Sequence, residues 1–375
     1  MKLLGLIPEP PFDPRSWSGS SRYFFRSLQH HGLLEDAREI ALASAAQLSQ
    51  KALAFSLPPS RWRERYHSSV GRFRRLTQAA GREIAHHPLA EGILQIGAWF
   101  CAPAVTELPC FSYHDGNAAL WYRYYGRGLL SESRVQRHLE WERQNYARMH
   151  GIFVMSRWLA DSFVRDFGVP EHRVHVVGAG INFERLPELI ERDFSIPRFL
   201  LVGRDFARKG GKYLLEAFRI VRRSLPAAEL TIVGPGSGAP EPGVHYAGFL
   251  RKSDPADLRA LTEIFRAATV MVLPSIYEPF GISLLEGMAN GMPCIAVDRC
   301  ALPEIVANGE TGLVAKPEDA ESLAEAMIEL ARHPEAAKRM GERGRRRVEE
   351  HFTWDAVAGK IRAALTSSNW KVLDS

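Results

Sequence analysis

Short apolar runs alternate with helical patterns along the whole chain. KLLGLIP (2–8), EIALAS (39–44), ILQIGAWF (93–100), CFSYHD (110–115), IFVMS (152–156) and HVVGAG (175–180) have the length and apolar continuity of buried strands. Helical patterns separate them, as in 20-SSRYFFRSLQHHG-32, where Gly32 is a stop signal. The pattern weakens across 184-ERLPELIERDFSIPR-198, which carries two prolines and mixed charge. A second series follows: FLLVG (199–203), ELTIVG (229–234), VHYAG (244–248), TVMVLPS (269–275), PCIAVD (293–298) and GLVAKP (312–317). Alternation of this kind predicts parallel sheets covered by helices on both faces. The expected fold class is α/β, with two Rossmann-like doubly wound domains and a cleft between them. The first domain is expected over 1–190 and the second over 196–352, with a last helix over 353–367.

Composition agrees with this picture. At 375 residues, 46% apolar and 24% charged, the chain suits two globular domains of ordinary size. A formal net charge of +5 favours an anionic ligand or surface without specifying one. The four cysteines (Cys101, Cys110, Cys294, Cys300) form no Cys-x-x-Cys pair and fit a reducing, cytoplasmic setting. Residues 2–8 are too short an apolar run, and too soon broken by proline, for a signal peptide. No run approaches a membrane span.

Ligands of open α/β sheets bind at the carboxyl ends of the strands. There the sequence places chemistry. After FLLVG comes 204-RDFARKGGKYLLEAF-218, with Arg204, Lys209 and a Gly210-Gly211 pair opening a helix. Two cations beside free helix N–H groups suit a diphosphate. Taken singly, both also read as solvated loop charges. After TVMVLPS comes 277-YEPFGISLLEGMANGMP-293, with Glu278 before a turn and Glu286 inside the helix that follows. Phe280, Gly281 and Ile282 are expected to form that helix's first turn, with its unpaired N–H groups. Two carboxylates on either side of such a turn suit hydroxyl groups at the two ends of a ligand with an anionic middle. The plain alternative is a surface glutamate and a helix-face glutamate with no ligand.

The ordered set of motifs resembles a known family. Arg204 with Lys209-Gly210, then 233-VGPGSG-238, 248-GFL-250, 278-EPFGISLLE-286, 291-GMP-293 and 312-GLVAKPEDAESLAEAM-327 is similar to the retaining glycosyltransferases of family 4. The similarity covers about residues 196–350, and more loosely 156-SRWLADSF-163 and 178-GAGIN-182. The resemblance implies the GT-B architecture, a nucleotide-sugar donor (UDP-, GDP- or other) and a hydroxyl acceptor. It implies that the last helix crosses back to the first domain. It gives Arg204 and Lys209 to the donor diphosphate, Glu278 to sugar hydroxyls and Glu286 to the ribose. Backbone at Phe280, Gly281 and Ile282 would hold sugar or phosphate, and Phe249 and Leu250 would border the base. In the first domain His114, in 112-SYHDGN-117, matches a histidine that approaches the donor sugar and phosphate. Gly19 matches a glycine where backbone nears phosphate, although this chain has Ser18-Gly19-Ser20 in place of the commoner Gly-Gly. Read from the residues alone, His114 is also a structural histidine, with Asp115 expected to cap the next helix.

No Asp-x-Asp occurs in the chain, so neither metal nor other cofactor is expected. Arg204, Lys209 and helix N–H groups would neutralise the leaving diphosphate. Residues 61–83 carry seven arginines against two glutamates, with Trp62, Tyr66, Val70, Phe73 and Leu76 at helical spacing. This fits an interfacial helix on an anionic membrane at the cytoplasmic face, an anionic acceptor site, or a packed helix with a solvated arginine face. No nucleic-acid recognition motif accompanies it. A nucleotide-sugar epimerase of the same fold and a non-catalytic nucleotide-sugar-binding protein are the competing functions.

Overall fold

A computed structural model of the chain describes residues 1–234 and 238–367. The chain forms two compact units. Met1–Gly180 and the segment beginning at Trp354 make the first, and Ile181–Thr353 the second. The boundary lies ten residues before the expected 190, because Ile181 is already tied to the second unit through a bond from its N–H to the Phe352 carbonyl (3.0 Å).

Unit 1 holds strands β1 (Leu3–Ile7), β2 (Leu34–Glu39), β3 (Gly92–Ile96), β4 (Cys110–His114), β5 (Gly151–Val154) and β6 (Val174–Val176). Its helices are α1 (Ser20–His30), α2 (Ser44–Ala54), α3 (Pro59–His67), α4 (Val70–Ala85), α5 (Ala118–Tyr124), α6 (Glu132–Ala147) and α7 (Arg157–Phe167). Unit 2 holds β7 (Arg198–Val202), β8 (Glu229–Val233), β9 (Val244–Gly248), β10 (Val270–Leu273), β11 (Cys294–Val297) and β12 (Gly312–Ala315). With them run α8 (Gly211–Ser224), α9 (Pro255–Ala267), α10 (Ile282–Ala289), α11 (Leu302–Ile305), α12 (Ala320–Arg332) and α13 (Pro334–His351). The last helix, α14 (Trp354–Ser367), belongs to unit 1, where Asp355 accepts from Ser27 Oγ (2.8 Å) and Trp354 packs on Phe24.

Both sheets are six-stranded and parallel, in the orders β2-β1-β3-β4-β5-β6 and β12-β11-β10-β7-β8-β9. These are doubly wound sheets. Each has a switch point where strand order reverses, between β1 and β3 in unit 1 and between β7 and β10 in unit 2. Every residue of β1, β3, β4, β5, β10 and β11 is buried. Parallel strands covered on both faces need apolar residues at every position, so they read as unbroken runs.

Two expectations need correction. EIALAS is not the second strand; β2 is the preceding, polar Leu34–Glu39, an edge strand with charged residues facing water. Residues 61–83 are not one helix either. The chain breaks at Ser68-Ser69, and Ser69 caps α4 by accepting from the Arg72 N–H (3.4 Å). Arg72 does not belong to a solvated arginine face: it is buried, with its guanidinium over the rings of Tyr66 (5.2 Å) and Trp99 (5.3 Å).

Gly210 opens α8 with left-handed backbone (φ 73°), and a Cβ there would lie 1.9 Å from the Pro274 carbonyl oxygen. Gly309 is also left-handed (φ 77°) but has open space around it. Alanine at either position meets the same backbone strain, and only Gly210→Ala adds a clash. Gly210→Ala should be less stable in urea than Gly309→Ala by about 1–3 kcal/mol, the scale of an overpacked site. Equal losses would mean that the two loops do not meet as described.

Candidate active site

The switch point of unit 2 is where its charged residues converge. The loop after β7 turns on Asp205, whose carbonyl accepts from the Lys209 N–H (2.9 Å) and whose side chain accepts from the Arg208 N–H (3.0 Å). The loop after β10 binds it directly. The Arg208 carbonyl accepts from the Ile276 N–H (2.9 Å), and Arg208 Nη1 donates to the Tyr277 carbonyl (2.7 Å).

This clamp brings Lys209 onto Glu278. Lys209 Nζ donates to Glu278 Oε2, Ser275 Oγ donates to the same oxygen (3.2 Å), and Arg208 Nη1 stands 3.6 Å from it. Both members of the pair are buried. Gly203 makes room for the lysine stem, since a Cβ there would lie 2.7 Å from Lys209 Cγ. Burial opposes charge on Glu278, but the Lys209 and Arg208 charges and the bonds from Lys209 and Ser275 outweigh it. Its carboxyl sits below the ordinary 4.5.

Glu286 is paired in the same way. It is buried one turn into α10, and Lys252 Nζ, half-exposed, donates to its Oε1. The helix begins at Ile282, with Gly281 as its left-handed cap (φ 103°), so Phe280 and Gly281 precede the first turn that they were expected to form. Phe280 is buried against Phe352 (6.2 Å). At the β9 end, Phe249 is exposed with the Arg204 guanidinium over its ring (4.9 Å), and Leu250 follows half-buried. Among the described residues, Arg204 has no carboxylate partner. Of 233-VGPGSG-238, residues 235–237 lie outside the described residues.

In unit 1, Gly19 caps α1 with left-handed backbone (φ 90°), following Trp17 (φ 43°) and Ser18 (φ 58°) in the same region. Such residues are strained and persist only where the surroundings hold them. The Glu9 carboxylate accepts from the Trp17 N–H (2.7 Å), and Asp115 accepts from Trp17 Nε1 (3.3 Å). The helix α5 is therefore capped not by Asp115 but by Asn117, which accepts from the Leu120 N–H (3.0 Å). His114 is 2% exposed, between the rings of Tyr146 and Phe163, and its Nε2 has no partner. Burial pushes its imidazole down to about 3, so it is neutral at physiological pH.

Thus unit 2 brings Arg204, Lys209, Phe249, Glu278 and Glu286 to one end of its sheet, while Gly19 and His114 belong to the corresponding end of unit 1. Sequence reading missed Arg208, Ser275 and Lys252. The signal for Arg208 was its place beside Lys209, and for Lys252 its place two residues past Leu250. Among the described residues, the one group spaced like metal ligands is His30, His31 and Asp355, with His30 and Asp355 exposed and His31 partly buried.

The buried pair predicts a pH signature. The folded pKa of Glu278 lies below its unfolded value, so its stabilisation is present above about 4.5 and is lost as pH falls through the folded pKa. Lys209→Met leaves the carboxylate buried beside Arg208 alone. Near pH 7 it should cost about 3–5 kcal/mol in denaturant titration. The difference from wild type should shrink on acidification, as protonation removes the unpaired charge. A loss independent of pH would contradict a charged pair.

Known proteins resemble this chain. The family model described as glycosyl transferases group 1 matches residues 184–347. A glycogen synthase of Mycobacterium tuberculosis is 32% identical over 216 residues, covering 55% of this chain and 51% of that protein. The chain thus spans about half the length of the curated relatives it matches. The sucrose-phosphate synthase of Thermosynechococcus elongatus superposes with a TM-score of 0.71 at 20% identity, over 98% of this chain and 100% of that one. The Anabaena protein HepE, solved in complex with UDP and glucose, superposes with a TM-score of 0.65 at 13% identity, over 98% and 100%. Residues 184–347 thus match the model of the group 1 glycosyl transferases, and the two doubly wound sheets give the chain the GT-B fold.

Proposed function

We propose that the chain is a retaining, metal-independent glycosyltransferase that moves a hexose from a nucleotide-sugar to a hydroxyl acceptor. One observation carries the reading. At the switch point of unit 2, Arg204 lacks a carboxylate partner and stacks on exposed Phe249, beside the loop that carries Lys209 to Glu278. An anion flanked by a flat base and by hydroxyl groups satisfies all of these groups. Arg204 and Lys209 bind the diphosphate, Phe249 and Leu250 border the base, Glu286 takes the ribose and Glu278 the sugar. Phe280, Gly281 and Ile282 offer backbone groups at the start of α10. Gly19 and His114, the latter 2% exposed between the rings of Tyr146 and Phe163, are the unit 1 residues that the family resemblance gives to the donor.

In the reaction, the bond from the anomeric carbon to the diphosphate oxygen breaks and the acceptor oxygen bonds to that carbon on the same face. The acceptor proton passes to the departing diphosphate. Arg204 and Lys209 stabilise the negative charge that develops on the leaving group. Glu278 and Glu286 are each occupied by a lysine, and the cations take the place that a metal holds in carboxylate-rich diphosphate sites. The UDP complex of the HepE protein makes UDP-sugars the first donors to try.

The setting is cytoplasmic in this reading, in keeping with four unpaired cysteines. No helix of the described residues is long and apolar enough to cross a membrane. Peripheral contact with an anionic membrane is supported by Leu48, Leu53, Phe55 and Leu57, all exposed, with Lys51, Arg61 and Arg63 among them.

A thermal-shift panel of UDP-, GDP-, ADP- and TDP-sugars tests the donor site. One nucleotide should raise the midpoint with or without chelator, and Arg204→Gln should weaken it about 10–150-fold, the scale of a charge-assisted hydrogen bond. A shift abolished by chelator removes metal independence, and no shift at all removes the donor site. Proton NMR of the product should show the donor's anomeric configuration. A donor sugar converted without acceptor would mean an epimerase, and binding with no turnover a sensor. Separately, Leu53→Ser with Phe55→Ser should release the protein from phosphatidylglycerol vesicles. Wild type that ignores such vesicles ends the membrane reading.

A further inference from the structure

Unit 1 contains a cavity of about 240 Å³ that the donor chemistry leaves unused. It lies where α2, the α3–α4 break and the first half of α6 meet. Helix α4 leads into β3 and α6 into β5, so their first turns stand at the carboxyl ends of the strands. That is the side on which open α/β sheets bind ligands.

Its lining is cationic. Arg65, Arg134 and Arg137 contribute, and no carboxylate does. Among the described residues, neither Arg134 nor Arg137 has an ion-pair partner, and both are exposed. Arg65 donates from Nη1 to the Phe55 carbonyl (3.1 Å), while its Nε is buried with no partner. Gln50 is 5% exposed, yet it too lines the cavity. Its Oε1 accepts from Ser69 Oγ (3.0 Å), and its Nε2 makes no hydrogen bond to a described residue. That amide is a donor left over in a cavity ringed by guanidinium groups. Ser69, Val70 and Gly71 add the start of α4, with its unpaired N–H groups and positive end. One wall is Trp141, stacked on Phe73 (4.7 Å) and half-buried. Burial holds His138 down at about 4, so the charge of the cavity comes from arginine and does not change near neutral pH.

We propose that this cavity binds a phosphate monoester carried by the acceptor, with Arg65, Arg134, Arg137 and Gln50 as its donors. Guanidinium forks match phosphate oxygens in pairs, and Trp141 offers a flat apolar wall to the carbons that bear the phosphate. A concave site with a buried amide selects a small anion over an extended lipid surface. The site itself stands on the geometry of unit 1. Calling its ligand the acceptor rests on the transferase reading.

Isothermal titration of the full chain with inorganic phosphate, at constant ionic strength set by chloride, tests the site. Wild type should bind saturably. Arg134→Gln with Arg137→Gln should weaken binding at least about tenfold, as loss of charge-assisted hydrogen bonds requires. Both arginines are exposed and without ion pairs, so an unchanged thermal midpoint should confirm that this variant folds. Arg204→Gln should leave the phosphate affinity as it is. No saturable binding, equal binding by the double variant, or loss in Arg204→Gln instead would overturn the proposal. So would uptake on phosphatidylglycerol vesicles that depends on Arg134 and Arg137 while free phosphate fails to bind. Phosphate binding that survives in a protein shifted by no nucleotide-sugar keeps the site and removes only the acceptor role.

Discussion

The buried ion pair between Lys209 and Glu278 is the constraint around which unit 2 is arranged. Each charge costs several kcal/mol to bring out of water, and their attraction roughly repays it. The pair therefore adds little net stability. What it does is fix position. It spans the two loops at the switch point, and those loops must approach closely enough for the charges to meet. Gly203 clears the path of the lysine stem, and Gly210 lets α8 start against the Pro274 carbonyl. Arg208 then locks the Tyr277 carbonyl, and Ser275 adds a second donor to Glu278 Oε2. A sheet with its switch point elsewhere would not bring these loops together.

The same logic explains two glutamates eight residues apart. Glu278 stands before the helix and Glu286 one turn inside it, each held by a lysine from another loop. Paired carboxylates do not repel a diphosphate as free ones would. They remain acceptors for hydroxyl groups, because a carboxylate has more lone pairs than one ammonium uses. Lys209 is thus held by its carboxylate, and Arg204, resting on Phe249, is the cation of the site with no carboxylate partner among the described residues.

Much of this was legible in the chain. The central strands read correctly because burial on both faces forces apolar residues at every position. The edge strand β2 did not, since LEDARE has the composition of a solvated helix or loop. The break between α3 and α4 was hidden because Trp62, Tyr66, Val70, Phe73 and Leu76 keep helical spacing across it. Only the Ser68-Ser69 pair marked it. Asp115 and Asn117 are both good caps two residues apart, and tertiary contact decided between them: Trp17 took Asp115. Lys252 and Arg208 carry no periodic signal at all. A loop cation becomes a site residue only through the carboxylate that the fold brings to it.

The two units differ in how much their chemistry is fixed in advance. A diphosphate between a base and a sugar demands cations, a cap and carboxylates in a set order, and the family match, 184–347, falls within unit 2. The family model does not reach unit 1. A crossover between parallel strands needs one helix, yet three, α2, α3 and α4, stand between β2 and β3. The additional helices do not build the sheet. They bring Gln50, Arg65 and the start of α4 to face α6, and so make a cavity that the fold alone does not require. Chain spent beyond the needs of the sheet, and lined with arginines that no carboxylate neutralises, is what the proposed phosphate site is made of.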